Sequence, residues 1–257
     1  MSLLRAEALS KEFGGVLAVQ ALQFEIPAQG VYSIIGPNGA GKTTLLNLLT
    51  GLYRPSAGHI WFDGRELTGR APHHYAAAGV GRTFQNLQIF FNMSALENVM
   101  VGRYLHERCS LAAALLRFPS LARAERACRA EALELLEFVG LGKYARAASD
   151  GMPYGALKRL EIARALAVRP KLLLLDEPAA GLNPTETQEI VRLIQRLAAR
   201  GVAVVLVEHN MKLVMGVSDR VLVLDYGRKL AEGSAESVRR DPKVIEAYLG
   251  GGAQAHA

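Results

Sequence analysis

The segment at residues 36–43 reads Gly-Pro-Asn-Gly-Ala-Gly-Lys-Thr, and its glycines, lysine and threonine have the spacing of a phosphate-binding loop. The glycines let the backbone wrap around phosphate oxygens, so that the amides of the loop and of the following helix point at the anion. We expect Lys42 to place its charge between the β- and γ-phosphates of a nucleotide, and the Thr43 hydroxyl to contact Mg²⁺. The residues predicted to bind the nucleotide here are Gly36, Pro37, Asn38, Gly39, Ala40, Gly41, Lys42, Thr43 and Thr44.

Two acidic residues and a histidine follow apolar segments later in the chain. Residues 172–175 predict a buried strand that delivers Asp176 and Glu177 at its carboxyl end, the edge at which a parallel sheet binds its ligand. We expect Asp176 to hold Mg²⁺ through water, and Glu177 to orient or deprotonate the water that attacks the γ-phosphate. A second apolar segment, residues 202–207, precedes His209, which is predicted to contact the γ-phosphate.

Composition and charge restrict the class of protein. Half of the 257 residues are hydrophobic, which permits a large core and excludes wholesale disorder. The net charge of +6 is too mild to choose among nucleotides, nucleic acid and an anionic membrane surface, and the lack of long Lys/Arg runs argues against nucleic acid. The charged N-terminus predicts no signal peptide, and no apolar run reaches the ~20 residues that span a bilayer. Cys109 and Cys128 lack metal-ligand spacing and are predicted to be reduced thiols.

The elements that must position these residues change in type along the chain. Short strand candidates fill residues 1–85, and the last of them covers residues 79–85. Helical spacing dominates residues 86–168, where one helix is expected from near Tyr154 to Val168, and strands alternate with helices over residues 169–249. Such alternation predicts a mostly parallel sheet. We therefore predict one domain of the α/β class: a P-loop NTPase core with a mostly parallel sheet, an antiparallel β subdomain, an inserted α-helical subdomain at residues 86–168, and a loose tail at residues 250–257.

Taken in order, the motifs resemble the ATP-binding cassette of ABC transporters over nearly the whole chain. The matching parts are Phe13, the phosphate loop, Gln85, the helical segment, Asp176-Glu177 and His209. The resemblance implies an ATPase with ATP and Mg²⁺ as cofactors, in which Phe13 stacks on adenine and Gln85 contacts Mg²⁺ and links to a membrane subunit. It also implies that Glu177, His209 and Gln85 are catalytic, and that Thr43, Gln85 and Asp176 hold the metal.

Several stretches resemble one subgroup, the cassettes of importers for branched-chain and other hydrophobic amino acids. These stretches are residues 82–86, 179–184, 209–215, a helical insert around residues 105–140, and the ending at residues 247–250. The resemblance implies a chain on the cytoplasmic face of the inner membrane that couples ATP hydrolysis to amino-acid uptake through permease subunits. It further implies a head-to-tail dimer with a second cassette, which is expected to be a different chain. An indirect link to a periplasmic binding protein and the lack of a nucleic-acid partner are also implied.

Three alternatives stay open at this point. A cassette of a urea or amide importer and one of a lipopolysaccharide exporter carry similar motifs. A soluble cassette protein that acts on ribosomes or DNA belongs to a different class. The presence of one cassette in 257 residues without a long heptad run argues against that last class.

One segment, residues 152–156, departs from the family pattern. Cassettes carry Leu-Ser-Gly-Gly-Gln or Leu-Ser-Tyr-Gly-Gln here, whereas this chain has Met-Pro-Tyr-Gly-Ala. In the family this segment caps the nucleotide of the partner cassette, which implies that Tyr154 and Gly155 contact it through their N–H groups. Pro153 has no hydroxyl and no N–H, although a proline is well tolerated at the start of a helix, so the fold need not suffer. The lost hydrogen bond is worth about 1.5–3 kcal/mol, so we predict a weakened contribution to the partner's site.

The stretch after Gln85 is predicted to dock a membrane subunit. Residues 87–96 include Phe90, Phe91 and Met93, and exposed apolar side chains of this kind mark interaction surfaces. We expect a groove here that accepts a short helix of the permease.

Overall fold

The computed structural model describes residues 2–103 and 119–250. Part of the predicted helical insert, residues 104–118 with Cys109, lies outside the described residues. Of the tail predicted at residues 250–257, only Gly250 is described, and it ends a helix. The strands are β1 (Ser2–Phe13), β2 (Val16–Pro27), β3 (Val31–Ile35), β4 (Ala57–Phe62), β5 (Arg65–Glu66), β6 (Val80–Arg82), β7 (Leu172–Asp176), β8 (Ala203–Val207), β9 (Arg220–Asp225) and β10 (Arg228–Gly233). The helices are α1 (Lys42–Leu49), α2 (Pro72–Ala78), α3 (Ala95–Gly102), α4 (Pro119–Phe138), α5 (Tyr154–Leu166), α6 (Pro184–Ala199), α7 (Met211–Val217), α8 (Ala235–Arg239) and α9 (Pro242–Gly250).

An antiparallel sheet forms from the first part of the chain, as predicted. β1 and β2 pair through the turn at residues 14–15, and β4 and β5 pair through the turn at residues 63–64. In the described residues the strand order is β2-β1-β4-β5. β1 and β2 are longer than expected, with 12 residues each, because bulges shift the pairing register and let both strands continue.

The second sheet is mostly parallel, which confirms the predicted fold class. Its order in the described part of the chain is β10-β9-β3-β8-β7-β6, and β10 pairs antiparallel with β9 while the other neighbours are parallel. β3, β7 and β8 are buried along their whole length. Strands covered on both faces read as continuous apolar runs, which is why residues 172–175 carry no polar alternation.

Alternate residues of this sheet belong to two different cores. Leu172 and Leu174 pack with α1 and the antiparallel sheet, whereas Leu173 and Leu175 pack with helices α3, α4, α5 and α6. The period of two follows from the pleat of a strand. Within residues 86–168 the described regular elements are helical, although the division of the chain at residues 85 and 169 stays a prediction.

The strand order brings the predicted site residues to one edge. β8 lies between β3 and β7, and β7 lies between β8 and β6, so the segments that follow these four parallel strands meet at the carboxyl edge of the sheet. The phosphate loop follows β3, Glu177 follows β7, and His209 comes shortly after β8. Within the described ranges, no helix is long and apolar enough to cross a membrane.

Candidate functional site

The phosphate loop connects β3 to α1, as predicted, and glycine is required in it for two reasons. Gly36 and Gly41 have φ values of 155° and 97°, in the region that residues with a Cβ rarely adopt. A Cβ at Gly36 would overlap the carbonyl oxygen of Leu224, and one at Gly41 would overlap that of Ala18. Because a side chain fits at neither position, the backbone itself lines the loop, as a phosphate cradle requires.

Lys42 lies across the loop that precedes it. Its Nζ donates hydrogen bonds to the carbonyl oxygens of Gly36 at 2.7 Å and Pro37 at 2.8 Å. Burial lowers the pKa of Lys42, while the charges of Glu177 and Asp176 oppose that change. The ammonium group therefore lies at the mouth of the loop, with the two carboxylates near enough to influence its charge. The Thr43 side chain is exposed at the first turn of α1, next to the half-buried Thr44.

Asp176 ends β7 in a buried environment built by the neighbouring strand. Arg82 Nη2, at the end of β6, donates to Asp176 Oδ2 at 3.0 Å, and the same guanidinium donates to Asn47 Oδ1 in α1 at 2.6 Å. The Asp176 N–H donates to Thr83 Oγ1. Burial raises the pKa of Asp176, and Arg82 opposes the rise. The ion pair between Arg82 and Asp176 fixes the Asp176 carboxylate at the sheet edge beside the phosphate loop.

The side chains predicted to hold magnesium suit a metal that is shared with a nucleotide. No group of three or more His, Cys, Asp or Glu side chains in residues 2–103 and 119–250 could hold a metal ion. Mg²⁺ is usually bound through one or two carboxylates together with substrate phosphates and waters. The chemistry of Thr43, Gln85 and Asp176 fits that mode, because one hydroxyl, one amide and one carboxylate leave the remaining positions to phosphate and water oxygens.

The three side chains predicted to be catalytic meet at Glu177. Gln85 Nε2 donates to Glu177 Oε2 at 3.2 Å, and His209 Nδ1 lies 3.8 Å from Glu177 Oε1. The Glu177 N–H donates to the Val207 carbonyl oxygen, which ties the residue to the end of β8. Glu177 has φ of 48°, an uncommon value for a residue with a side chain, and such strain clusters at functional sites. The geometry can orient a carboxylate toward a bound water.

Phe13 lies apart from this group, at the end of β1. Its exposed ring meets the Tyr53 ring edge-on at a centroid distance of 5.2 Å, and Lys11 Nζ lies 4.8 Å from its centroid. Tyr53 N–H donates to the Asn47 carbonyl oxygen in α1, so the aromatic pair adjoins the helix that the phosphate loop opens. An exposed ring at this place is available to stack on a base, and its contact with adenine stays a prediction.

Residues 152–156 lie at the start of α5. Pro153 is the residue that caps α5, with φ of −57° and ψ of 149°, and the helix begins at Tyr154, as predicted. Its carbonyl oxygen accepts hydrogen bonds from the Ala156 and Leu157 N–H groups, so the backbone of Pro153 already takes part in the first turn of the helix. Tyr154 and Gly155 pack beside residues 181 and 186, and Tyr154 is exposed. The N–H groups of Tyr154 and Gly155 belong to the helix start, where intrahelical acceptors are lacking.

The C-terminal part of the chain lines the outer side of the phosphate loop, which the motifs did not predict. A cavity of about 620 Å³ is bounded by residues 36–40, His209, Tyr226 and Tyr248. Burial raises the pKa of Tyr248 to about 12. Tyr226 carried no motif signal, and Tyr248 was part of the matched ending but had no predicted place in the site. Both residues reach the loop because β9, β10 and α9 return to the sheet edge.

Other residues that support the site were missed for a related reason. Glu208 is buried, and its Oε1 accepts a hydrogen bond from the Ala179 N–H at 2.9 Å. Lys158 and Glu161 of α5 bond to the backbone at residues 84–85. The sequence offered only weak signals for these residues: a charged residue next to His209, and two charged residues three apart in a predicted helix. Both patterns are also typical of a solvated surface.

Comparisons with known proteins agree with this arrangement. A family model described as ABC transporter matches residues 19–180, and one described as branched-chain amino acid ATP-binding cassette transporter matches residues 228–254. The high-affinity branched-chain amino acid transport ATP-binding protein BraF of Pseudomonas aeruginosa is 45% identical over 249 residues, covering 96% of this chain and 98% of the relative. The high-affinity branched-chain amino acid transport ATP-binding protein LivG of Escherichia coli is 44% identical over 249 residues, covering 96% of this chain and 98% of the relative.

A solved structure extends the likeness to the fold. The crystal structure of the ADP conformation of an ATP-binding cassette from an ABC transporter matches with a TM-score of 0.84 at 31% identity, covering 97% of this chain and 99% of that chain. The first family model spans more than half of the chain, and the two relatives span nearly all of it. The chain therefore belongs to the ABC transporter family of ATP-binding cassettes.

Proposed function

We propose that this chain is the ATP-binding and ATP-hydrolysing subunit of an importer for branched-chain or other hydrophobic amino acids. The meeting of Gln85 and His209 at Glu177, beside the phosphate loop, carries the ATPase part of the proposal. The match of residues 228–254 to cassettes of branched-chain amino acid transporters supports the class of solute. We place the chain at the cytoplasmic face of the inner membrane, where permease subunits hold it.

Each residue at the sheet edge has a separate task in hydrolysis. The backbone amides at residues 36–43 and the Lys42 ammonium bind the phosphates, and Glu177 accepts a proton from the attacking water or orients it. Gln85 and His209 hold the Glu177 carboxylate from two sides. Mg²⁺, held by Thr43, Gln85 and Asp176, would neutralise charge on the β- and γ-phosphates.

The segment at residues 152–156 is proposed to serve a second cassette in a head-to-tail dimer. Tyr154 and Pro153 are exposed at the start of α5, so the first amides of this helix are accessible to the partner's nucleotide. Pro153 supplies no hydroxyl, and a serine in a different partner chain would. The two composite sites of such a dimer are then unequal: the site built on this chain's phosphate loop is the stronger one.

A groove beside Gln85 is proposed to dock a short helix of the permease. A cavity of about 560 Å³ lies between α2, β6, the end of α3 and α5, and its lining includes Phe84, Leu87, Ile89 and Phe90. Phe90 and the adjacent Phe91 are 43% and 48% exposed. Apolar side chains exposed around a cavity of this size suit an apolar helix face. Met93, which is half-buried, does not line this cavity.

The alternatives differ in solute and partner. Urea or amide import and lipopolysaccharide export would use the same ATPase site, and the C-terminal family match favours amino acids over both. A cassette that acts on ribosomes or DNA would not need the groove beside Gln85. A cassette does not contact the solute, so the assembled transporter has to be tested.

The test is transport by the reconstituted complex. The chain is placed in proteoliposomes together with permease subunits, a second cassette and a binding protein, and ATP-driven uptake of labelled leucine, isoleucine, valine and urea is measured. We expect uptake of the three amino acids, and none with Lys42→Ala, because that variant lacks the phosphate-binding cation. Uptake of urea alone, or purification with nucleic acid in place of membrane proteins, would contradict the proposal.

A further inference from the structure

Helix α5 buries two charged side chains, and both of them bond to backbone groups. Lys158 and Glu161 are each 2% exposed. They lie three residues apart, so they share one face of the helix. Burying a charge is costly unless it is hydrogen-bonded and paired, so the groups that satisfy these side chains show what the burial is for.

Both charges bond to the backbone of the same dipeptide, Phe84-Gln85. Glu161 Oε1 accepts a hydrogen bond from the Phe84 N–H at 3.0 Å, and Lys158 Nζ donates to the Gln85 carbonyl oxygen at 3.1 Å. Burial raises the pKa of Glu161, and the Phe84 N–H and the Lys158 charge oppose the rise. The two side chains therefore hold the dipeptide at both of its ends.

This dipeptide is the point at which the chain leaves the sheet. The Thr83 N–H still donates to the Leu174 carbonyl oxygen of β7, whereas the next N–H, that of Phe84, turns to Glu161. The strand predicted to reach Gln85 thus ends at Arg82, because α5 supplies the partners that a neighbouring strand would have supplied. The path of the backbone beyond β6 is set by α5.

The held backbone carries the side chain that reaches Glu177. Gln85 is exposed, so packing does little to fix its side chain, yet its Nε2 lies 3.2 Å from Glu177 Oε2. The position of its Cα decides whether that bond forms. One turn further along α5, the Arg164 guanidinium lies 5.5 Å from the centroid of the Phe90 ring, so the same helix also contacts the groove.

We propose that Lys158 and Glu161 are positioning residues, which hold the backbone of residues 84–85 so that the Gln85 amide reaches Glu177. The inference rests on the function proposed above, in which Gln85 orients the Glu177 carboxylate during ATP hydrolysis. It does not depend on which solute is transported. Because α5 begins at Tyr154, it also joins the segment that faces the second cassette to Gln85 through one rigid element.

The test measures ATP hydrolysis by the reconstituted complex, in which this full-length chain carries two disrupting or two conservative substitutions, one at a time. Glu161→Leu and Lys158→Met remove the acceptor and the donor, and we expect each to lower kcat about 10-fold, the value of one charged hydrogen bond. KM for ATP should stay within about 2-fold of the wild-type value, because the phosphate loop is untouched. Glu161→Gln and Lys158→Arg keep a hydrogen-bonding group at the same place and should recover most of the turnover.

A double variant separates positioning from general damage. In a Gln85→Ala background, Glu161→Leu should cause no further loss of kcat, because residues that act through one another are not additive. Glu189→Gln is the matched control, since Glu189 pairs with Arg159 of the same helix at 2.6 Å and does not contact residues 84–85; its turnover should equal that of the wild type. Should Glu161→Leu fail to fold, Lys158→Met carries the same test.

Three results would overturn the inference. The first is wild-type kcat in both disrupting variants. The second is that Glu161→Leu lowers kcat in the Gln85→Ala background as much as it does in the wild type. The third is failure of both conservative variants to recover turnover. Reduced kcat in Gln85→Ala beside wild-type kcat in both disrupting variants would remove this inference alone. Wild-type kcat in Gln85→Ala would remove the role proposed for Gln85, and the inference with it.

Discussion

Replacing Arg82 by methionine tests how the site is held together. The substitution removes the guanidinium and keeps an unbranched apolar stem. Arg82 Nη2 lies 3.0 Å from Asp176 Oδ2, and the two side chains are 7% and 4% exposed. Arg82 also donates to Asn47 Oδ1 in α1. The guanidinium therefore joins β6, β7 and α1 directly beneath the phosphate loop.

The expected loss is large, because Asp176 stays buried after its partner is removed. Breaking one side of a buried ion pair costs about 3–5 kcal/mol. At about 2–4 °C per kcal/mol for a chain of this size, the melting temperature should fall by about 6–20 °C. The pKa of Asp176, already raised by burial, should rise further, since Arg82 opposes that rise. A carboxyl group that has taken up a proton is a poor ligand for Mg²⁺, so ATPase activity should fall as well.

Urea unfolding of the full-length chain measures the change in the free energy of unfolding. Arg5→Met is the matched control: the Arg5–Glu7 pair is exposed, and its loss should cost less than about 1 kcal/mol. The double variant Arg82→Met/Asp176→Leu should recover much of the stability and remain inactive, because it leaves no unpaired charge. A loss below about 1 kcal/mol for Arg82→Met, or a double variant less stable than the single one, would refute the reasoning.

Three further predictions concern Glu177, Pro153 and Glu208. Glu177→Gln should bind ATP, lose most hydrolysis and accumulate as an ATP-bound dimer in size-exclusion chromatography; normal turnover would show that Glu177 is not the base. Pro153→Ser should raise ATPase turnover of the whole complex by about 10–100-fold where this contact limits the rate. The unfolding free energy should change by less than about 1 kcal/mol, because the stability gained from a serine cap is about equal to the stability lost with the rigid proline. Unchanged turnover would count against unequal composite sites. Burial raises the pKa of Glu208, so the native state binds a proton there more readily than the unfolded state, and stability falls as pH rises through that interval. Glu208→Gln stays neutral, so in urea titrations its unfolding free energy should rise relative to that of the wild type as the pH increases above the ordinary glutamate pKa of about 4.3. A difference that stays constant with pH would contradict the raised pKa.

The local chemistry of the site was readable along the chain. The phosphate loop is eight consecutive residues whose glycines are required by φ and by close backbone approach, so order and residue type suffice to recognise it. Asp176, Glu177 and His209 follow strand candidates, and parallel strands bring their carboxyl ends to one edge. That rule predicted the cluster without any knowledge of which strand lies beside which.

Boundaries were less accurate than types. The strand β6 ends at Arg82 instead of continuing to Gln85. A helix or strand ends where its hydrogen bonds find other partners, and those partners come from distant parts of the chain. Glu161, which takes the Phe84 N–H, is 77 residues away in sequence.

Residue types and their order were enough to establish the phosphate cradle, the acidic strand end and the class of fold, because each depends on neighbours in the chain or on a general rule of parallel sheets. Which charges are buried was decided only by packing. Arg82 meets Asp176 across 94 residues, and Lys158 meets Gln85 across 73. In the linear chain these side chains look like any solvated charge, and only the docking of α5 and β7 around residues 82–85 removes them from water and gives them partners.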